Sequence, residues 1–186
     1  YNYDQRIGIK GSLNIGQISG NDANSNNSFQ IDRNFSFTSQ LIEGALIGEF
    51  NFFPYSALDS KSKLSTPFIF LGIGYVKHNP KSQLNGVLLS TNSLQTEGVN
   101  FKTNIFSVPI GVGYKLRVNR FGFEFSWGIR KTNSDYLDDV STNFLDASNS
   151  YSSSQANLSN TTQYENIGNI KRGDRYNNDW YVFTGL

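Results

Sequence analysis

The feature of the sequence that most constrains its fold is a strict alternation of residue types over residues 120–130, RFGFEFSWGIR. Large apolar side chains occupy every second position, and glycine, serine or a charged residue occupies each position between them. A period of two is the signature of a β-strand, because successive side chains of a strand point to opposite faces. The pattern predicts further strands at residues 7–15, 35–53, 67–78, 103–116 and 180–186. Residues 67–78 are apolar on both faces, so their facing stays open.

The segments between these strands are polar and rich in Asn, Ser, Thr and Asp, which predicts loops at residues 20–34, 79–100 and 133–178. No segment has the apolar spacing of a convincing amphipathic helix. The connections at 54–66 and 118–119 are shorter, so long and short connections alternate along the chain. This order predicts a single all-β, antiparallel domain over residues 1–186, and the alternation of connection lengths is typical of outer-membrane barrels.

The class of protein depends on which face of the strands is buried. A soluble barrel or sandwich turns its apolar face inward, whereas a transmembrane barrel turns it towards lipid. Strands of about ten residues match a tilted bilayer crossing, and aromatic residues stand near the strand ends, as in interfacial girdles. The opposite face carries mostly glycine and serine with a few charges, which suits a narrow interior. We therefore predict an antiparallel transmembrane β-barrel; a soluble lipocalin-like carrier is the alternative fold.

Charge and composition narrow the function further. The net charge of +1 gives no argument for a nucleic-acid partner, and the absence of cysteine excludes a disulfide scaffold and a thiol nucleophile. Six strands are fewer than the roughly eight of the smallest membrane barrels. We therefore expect the complete protein to carry about two more strands ahead of this sequence and a few more residues after it.

Charged residues recur at the polar positions of the predicted strands, where they face the barrel interior. An interior enclosed by about eight strands is narrow enough for side chains to fill. We expect these charges to pair with one another and to leave no conducting pore. The six residues are Lys10, Glu43, Glu49, Lys115, Glu124 and Arg130.

Two constellations could carry chemistry. His78 is the sole histidine, so a lipid hydrolase of Ser–His type would need it as the base, but no serine is marked by spacing as its partner. Asp135, Asp138 and Asp139 could ligate calcium, yet the spacing of a calcium loop is absent. The simpler interpretations are a strand-end histidine and aspartates that pair with Arg130, Lys131 or Arg172. The sequence thus predicts neither a metal nor a cofactor.

Several motifs together resemble a known family. The segments EFNFFPY (49–55), PFIFLGIGYVKHNPK (67–81), TEG (96–98), VPIGVGYKL (108–116), RKTNSDYLDDVST (130–142) and RGDRYNNDWYVFTGL (172–186) resemble the PorG-like outer-membrane barrels of the Bacteroidota type IX secretion system. The resemblance runs in order from about RNFSF (33–37) to the end of the chain. It implies an eight-stranded outer-membrane protein that is not an enzyme and that serves protein export and, in gliding species, motility. It also implies a signal peptide and about two more strands ahead of the sequence that begins YNYDQR.

The resemblance also implies partners: outer-membrane lipids, a periplasmic ring lipoprotein and its partner protein, and other secretion components. By loop length, the connection 54–66 faces the periplasm and could dock on the ring. Its candidate contact residues are Tyr55, Leu58, Asp59, Lys61 and Lys63. The most specific motif lies at the opposite end, where it could fold over the barrel mouth or contact an export partner. Its residues are Asp135, Tyr136, Leu137, Asp138 and Asp139.

Overall fold

The computed structural model describes residues 3–56, 64–84, 87–119, 121–145, 152–159 and 170–185. In this part of the chain one antiparallel sheet curls into a half-barrel, as the sequence predicts. Six long or medium strands follow one another around the curl. One additional short strand, the fourth in chain order, pairs only with the third. The strands are β1 Ile7–Asn21, β2 Ser36–Asn51, β3 Ser65–Leu84, β4 Val87–Ser90, β5 Asn104–Val118, β6 Phe121–Thr132 and β7 Trp180–Gly185.

The topology is a simple meander in which β1, β2, β3, β5, β6 and β7 each pair antiparallel with the next. The β2–β3 and β5–β6 connections therefore lie at one end of the curl, called the turn end below. The three other connections lie at the opposite end, called the loop end. Long and short connections are thus segregated, as expected from the sequence.

The side-chain pattern of the strands decides which face points outward. On β6, Phe121 is 71 % exposed and Phe123, Phe125 and Trp127 are each about half exposed. The apolar face of every long strand is likewise exposed on the convex side, and we call this surface the apolar belt. On β3, Phe68 and Phe70 are buried on the concave side, whereas alternate residues from Ile69 to Tyr75 point outward. That assignment resolves the strand whose facing the sequence left open.

Inward glycines make room for the two inward aromatic rings of β3. A Cβ atom added at Gly128 would lie 2.5 Å from Cζ of Phe70 and 2.8 Å from the carbonyl oxygen of Ile110. The ring occupies the space that a larger inward residue would need. Glycine on the polar face of the opening motif is therefore a packing requirement of the concave side.

The predicted loop at 79–100 was partly wrong. β3 continues to Leu84 and forms a hairpin with β4, which is followed by the short helix α2, Thr91–Leu94. Beyond the apolar belt neither face of the hairpin needs a continuous apolar surface, so backbone pairing persists without the hydrophobic alternation that signals a strand. β1 likewise extends to Asn21, inside the predicted loop 20–34.

The helices within the described residues are short. They are a 3-10 turn at Asp22–Asn24, α1 at Ser28–Arg33, α2 and α3 at Ser153–Ser159. The predicted loops 20–34 and 133–178 therefore contain helices of six and seven residues, which are too short for an amphipathic pattern to reveal. Among the described residues, no helix has the length and apolar character needed to cross a membrane.

The close approach at Gly128 predicts a specific destabilisation. Replacing Gly128 by alanine should lower the free energy of unfolding by roughly 1–3 kcal/mol, because the Cβ overlaps a ring and a backbone carbonyl. Gly44 is the matched control, since a Cβ there meets no atom within 4 Å. Gly44→Ala should leave stability unchanged or raise it slightly. Urea unfolding of both variants in detergent micelles checks this; equal stabilities would contradict the inward packing of Phe70.

Candidate functional site

Four of the predicted interior charges form a closed group on the concave face near the turn end. Lys10 Nζ lies 2.6 Å from carboxylate oxygens of both Glu49 and Glu124, and Lys115 Nζ lies 2.5 Å from Glu49. Lys115 also lies 3.9 Å from Glu124 and 4.6 Å from the ring centre of Phe68. Because Lys10 belongs to β1 and Glu124 to β6, these pairs reach across the curl. Two cations and two anions cancel, so the group is electrically neutral.

The other two predicted charges meet deeper on the concave face. Glu43 of β2 is fully enclosed, and Arg130 Nε of β6 lies 3.6 Å from its carboxylate. The guanidinium of Arg130 also stands over the rings of Phe70 and Phe183, at 5.9 and 5.2 Å from their centres. Cation–π interactions with these two rings stabilise the buried guanidinium charge.

Glu43 collects hydrogen bonds that the sequence alone did not reveal. Tyr181 Oη of β7 donates at 2.5 Å, Asn14 Nδ2 of β1 at 3.0 Å and Ser107 Oγ of β5 at 3.3 Å. The sequence did contain a signal for them. All three are polar residues at positions that the period-two alternation assigns to the inward face. Charge pairing by itself could not identify them, since none of the three is charged.

The predicted partner-contact residues fare differently. Tyr55 is only 9 % exposed, and it lines a concave-side cavity of about 460 Å³ together with the charged group. Its backbone N–H donates to Gln5 O, which ties this segment to the start of β1. Tyr55 is therefore not a free apolar anchor, which corrects the sequence prediction. The other four, Leu58, Asp59, Lys61 and Lys63, lie outside the described residues.

At the loop end, the Asp-Tyr-Leu-Asp-Asp motif enters the mouth of the half-barrel. Leu137 is 2 % exposed and packs in a core cluster with Leu41, Val76, Ile105 and Tyr181, which come from four different strands. The motif thus folds over the mouth and plugs it with its central leucine. We call this layer of loop segments the cap.

The cap is organised around the guanidinium of Arg172, which is fully buried. Its Nη1 atom donates to Glu97 Oε1 at 3.0 Å and to the carbonyl oxygen of Asp139 at 2.5 Å. The carboxylate of Asp139 lies 3.6 Å away, and the ring of Phe35 lies beneath the guanidinium at 4.7 Å. Nη2 donates to Leu158 O at 3.4 Å. Arg172 therefore joins four segments that are distant in sequence.

Glu97 fixes the chain that follows the motif. Its two carboxylate oxygens accept from the backbone N–H groups of Ser141 and Thr142 at 3.0 and 2.7 Å, and one also accepts from Thr142 Oγ1 at 2.6 Å. Gly173 lets its own segment pack directly against the backbone of Val140 and Ser141, because a Cβ at this position would lie only 2.7 Å from that backbone. Glu97, Asp139, Arg172 and Phe35 stand in the TEG, DYLDD, RGD and RNFSF segments that carried the family resemblance. Those segments meet in space.

His78 is built into the same region as a packing residue. It is 1 % exposed, and its ring stacks on Phe101, which in turn stacks on Tyr136 at 4.5 Å between ring centres. With hydrogen on Nε2, the ring donates to the carbonyl oxygen of Lys102 at 3.2 Å. β3 runs six residues past His78, so the expectation of a strand-end residue was wrong.

An acidic cleft of about 560 Å³ lies on the outer side of the cap, between α1 and the motif. Asp135, Asp138, Asp174 and Asp179 line it, whereas Asp139 points inward, where it ion-pairs with Arg172 and accepts a hydrogen bond from Thr96. Three or more metal-ligating side chains do not converge anywhere in the described part of the chain. The three motif aspartates therefore do not form one group. Of the basic residues predicted to pair with them, Arg172 forms an ion pair with Asp139.

The cap carboxyls have raised pKa values. Burial raises the pKa of Asp179 to about 7, and the nearby Asp138 carboxylate acts in the same direction. Burial also raises the pKa of Asp135 to about 6, with further contributions from the charges of Asp138 and Asp174. For Asp139, burial raises the pKa to about 6 although Arg172 opposes the shift. At neutral pH a substantial fraction of the Asp179 side chains is therefore protonated.

These features define a class: an antiparallel half-barrel with an apolar outer belt, a charge-paired concave face and a loop cap over one mouth. The sequence model described as "Domain of unknown function (DUF6089)" matches residues 1–186. The chain belongs to the DUF6089 family. Comparison with curated proteins and with solved structures found no match.

Removing the charge of Glu43 should destabilise the fold strongly. Glu43→Gln leaves Arg130 enclosed without its anion and removes one acceptor from the hydrogen-bond group, so we expect a loss of roughly 3–5 kcal/mol. Glu124→Gln is the matched control, because its side chain is 33 % exposed and water can compensate the change. The loss there should be about 1 kcal/mol or less. Equal losses in urea unfolding would show that enclosure of Glu43 is not decisive.

The raised pKa values predict that the cap tightens on acidification. Each of these carboxyls has a higher pKa in the folded protein than its unfolded value near 3.8. Its protonation therefore stabilises the fold, fully at pH values below 3.8, and this contribution is lost as the pH rises through 6 to 7. The Leu137 amide, which donates to Asp179 Oδ2 at 2.8 Å, reports on this directly. Its hydrogen-exchange protection, corrected for intrinsic rate, should be higher at pH 5 than at pH 8.

Asp179→Asn provides the control for this pH effect. Asparagine keeps an oxygen acceptor for the Leu137 amide but cannot titrate, so the pH dependence should become shallower. An unchanged pH profile in the variant would assign the effect to other groups.

Proposed function

We propose that this protein is an outer-membrane β-barrel protein that acts as a non-enzymatic component of a protein secretion machine. The observation that carries the membrane assignment is the apolar belt. Ile, Leu, Val, Phe and Trp side chains stand 39–73 % exposed on successive strands, whereas charged residues are concentrated on the concave face. In water such a continuous exposed apolar surface favours aggregation, whereas in a bilayer it is the surface that lipid solvates.

The organisation of the concave face argues for a scaffold and against an open channel. Ion pairs, inward aromatic rings and the Leu137 plug occupy space that a conducting pore would need as a continuous water path. The proposal therefore expects no stable conductance from the protein in a planar bilayer.

The secretion role rests on the resemblance to PorG-like barrels of the type IX system. Its support is that three of the resembling segments contact Arg172, which stands in a fourth, and together they build the cap. The residue types that carry the resemblance therefore share one structural role. On this proposal the partners are a periplasmic ring lipoprotein and its partner protein. The turn end is the side that would face them, and Phe52, Phe53 and Leu64 offer exposed apolar contacts there in place of Tyr55.

The alternative of a lipid hydrolase has weaker support. His78 is the sole histidine, and its ring is enclosed in an aromatic stack with Nε2 engaged by a backbone carbonyl. A general base needs access to the proton that it removes. A small barrel with only a structural or adhesive role remains the second candidate, because the long connections all gather at the loop end.

A deletion strain complemented with defined variants tests the proposal. The wild-type protein should sediment with outer membranes, migrate differently on gels before and after boiling, and restore export of type IX cargo. Arg172→Lys, which cannot reproduce the planar contacts of the guanidinium, should reach the membrane yet restore export less well. Gly44→Ala, on the outer face, should behave like the wild type.

A photo-crosslinking residue placed at Leu64 should capture the ring lipoprotein, whereas one at Lys171 in the cap should not. Normal export in the deletion strain would overturn the secretion role and favour the structural barrel. Recovery of the protein in the soluble fraction would overturn the membrane assignment itself.

A further inference from the structure

Two lysines stand side by side on the outer face, at the loop-end edge of the apolar belt. Lys77 of β3 pairs in register with Asn104 of β5, and Lys102 precedes that residue by two positions. The backbone at Lys102 is held against β3, because His78 donates from its N–H to Thr103 O and from its ring to Lys102 O. Lys102 lies just ahead of β5, and continuing the β3–β5 register places it diagonally across from Lys77, about 7–8 Å away at the backbone.

The two ammonium groups have no anionic partner in the described part of the chain. Both side chains are exposed, and neither takes part in the ion pairs that the described residues form. Like charges at neighbouring positions of a sheet repel each other. The adjacent outward residues contribute no carboxylate; they are Gln40, Ile42, Tyr75, Asn79, Asn104 and Phe106.

Directly on the belt side of the lysines lies an aromatic pair. Tyr75 and Phe106 pack edge to face with ring centres 5.5 Å apart, and their side chains are 51 % and 63 % exposed. An apolar surface thus adjoins two unneutralised cations at the level where a membrane interface would lie. A molecule that satisfies both must be amphiphilic, with an anionic head beside its apolar part.

We propose that Lys77 and Lys102 bind the phosphate of a phosphorylated membrane lipid whose acyl chains lie on Tyr75 and Phe106. This inference rests on the proposed membrane location of the belt. Phosphate suits the site because its several oxygens can accept from two separated ammonium groups at once. A free phosphate ion would gain only the charge interaction, since it has no apolar part to cover the aromatic pair.

Binding to the protein reconstituted in detergent micelles tests the site, with native mass spectrometry as the readout. The probes are phosphatidic acid, the matching diacylglycerol and inorganic phosphate. Wild-type protein should bind phosphatidic acid and neither of the other two. Lys77→Gln combined with Lys102→Gln should weaken that binding by roughly 30-fold, since each lysine near an anionic lipid surface contributes about a factor of five. Lys171→Gln with Arg175→Gln removes the same charge from the cap surface and should change nothing.

Three outcomes would overturn the lipid site: undiminished binding in the Lys77/Lys102 double variant, equal binding of diacylglycerol, or equal binding of inorganic phosphate. A folded, heat-modifiable protein that ignores all three probes would overturn the site and leave the membrane proposal standing. A protein that stays monodisperse without detergent would overturn both proposals.

Discussion

The carboxylate of Glu43 is fully enclosed, and both its cation and a hydrogen-bond donor to it come from the far side of the curled sheet. Arg130 belongs to β6 and Tyr181 to β7, whereas Glu43 belongs to β2. If the sheet were flat, those strands would lie several strand spacings away, and Glu43 would lose its cation and its tyrosine donor while keeping the hydrogen bond from Asn14 of the adjacent strand. The satisfied pair therefore depends on the curl, and loss of one partner would leave a buried charge that is expensive to keep. Register and curvature of the sheet are coupled through this one group.

The strands and their facing could be predicted from the sequence because a belt of apolar residues at alternate positions leaves a strong period-two signal. Charged residues at inward positions also followed from parity, and the structure places all six within ion-pairing distance of a partner. The period-two signal is lost where the apolar belt ends. Past Tyr75, β3 no longer presents an apolar outer face, so its extension to Leu84 and the hairpin with β4 left no periodicity to detect.

The cap could not be predicted for a different reason. Arg172 contacts Glu97 and Asp139, which precede it by 75 and 33 residues, so no local pattern links them. Asp139 adopts a left-handed backbone conformation with φ of 68°, which short polar residues tolerate better than bulky ones. Motif resemblance marked these positions, but only the fold explains why arginine, glutamate and aspartate occur there. A guanidinium can join two carboxylates and two carbonyls in one plane, and a lysine cannot.

Side chains occupy much of the interior of the half-barrel, so the accessible surfaces are the ones available for function. Ion pairs span the concave face near the turn end and Leu137 fills it at the loop end, so substrate passage along it would require breaking charged contacts. The outer belt and the two rims remain as the accessible surfaces of the described residues. On the proposed membrane assignment, the protein would interact through its perimeter, with lipid around the belt and with proteins at its ends. The proposed role is then that of a scaffold, in which the paired charges of the interior hold the surfaces at the two ends at a fixed spacing.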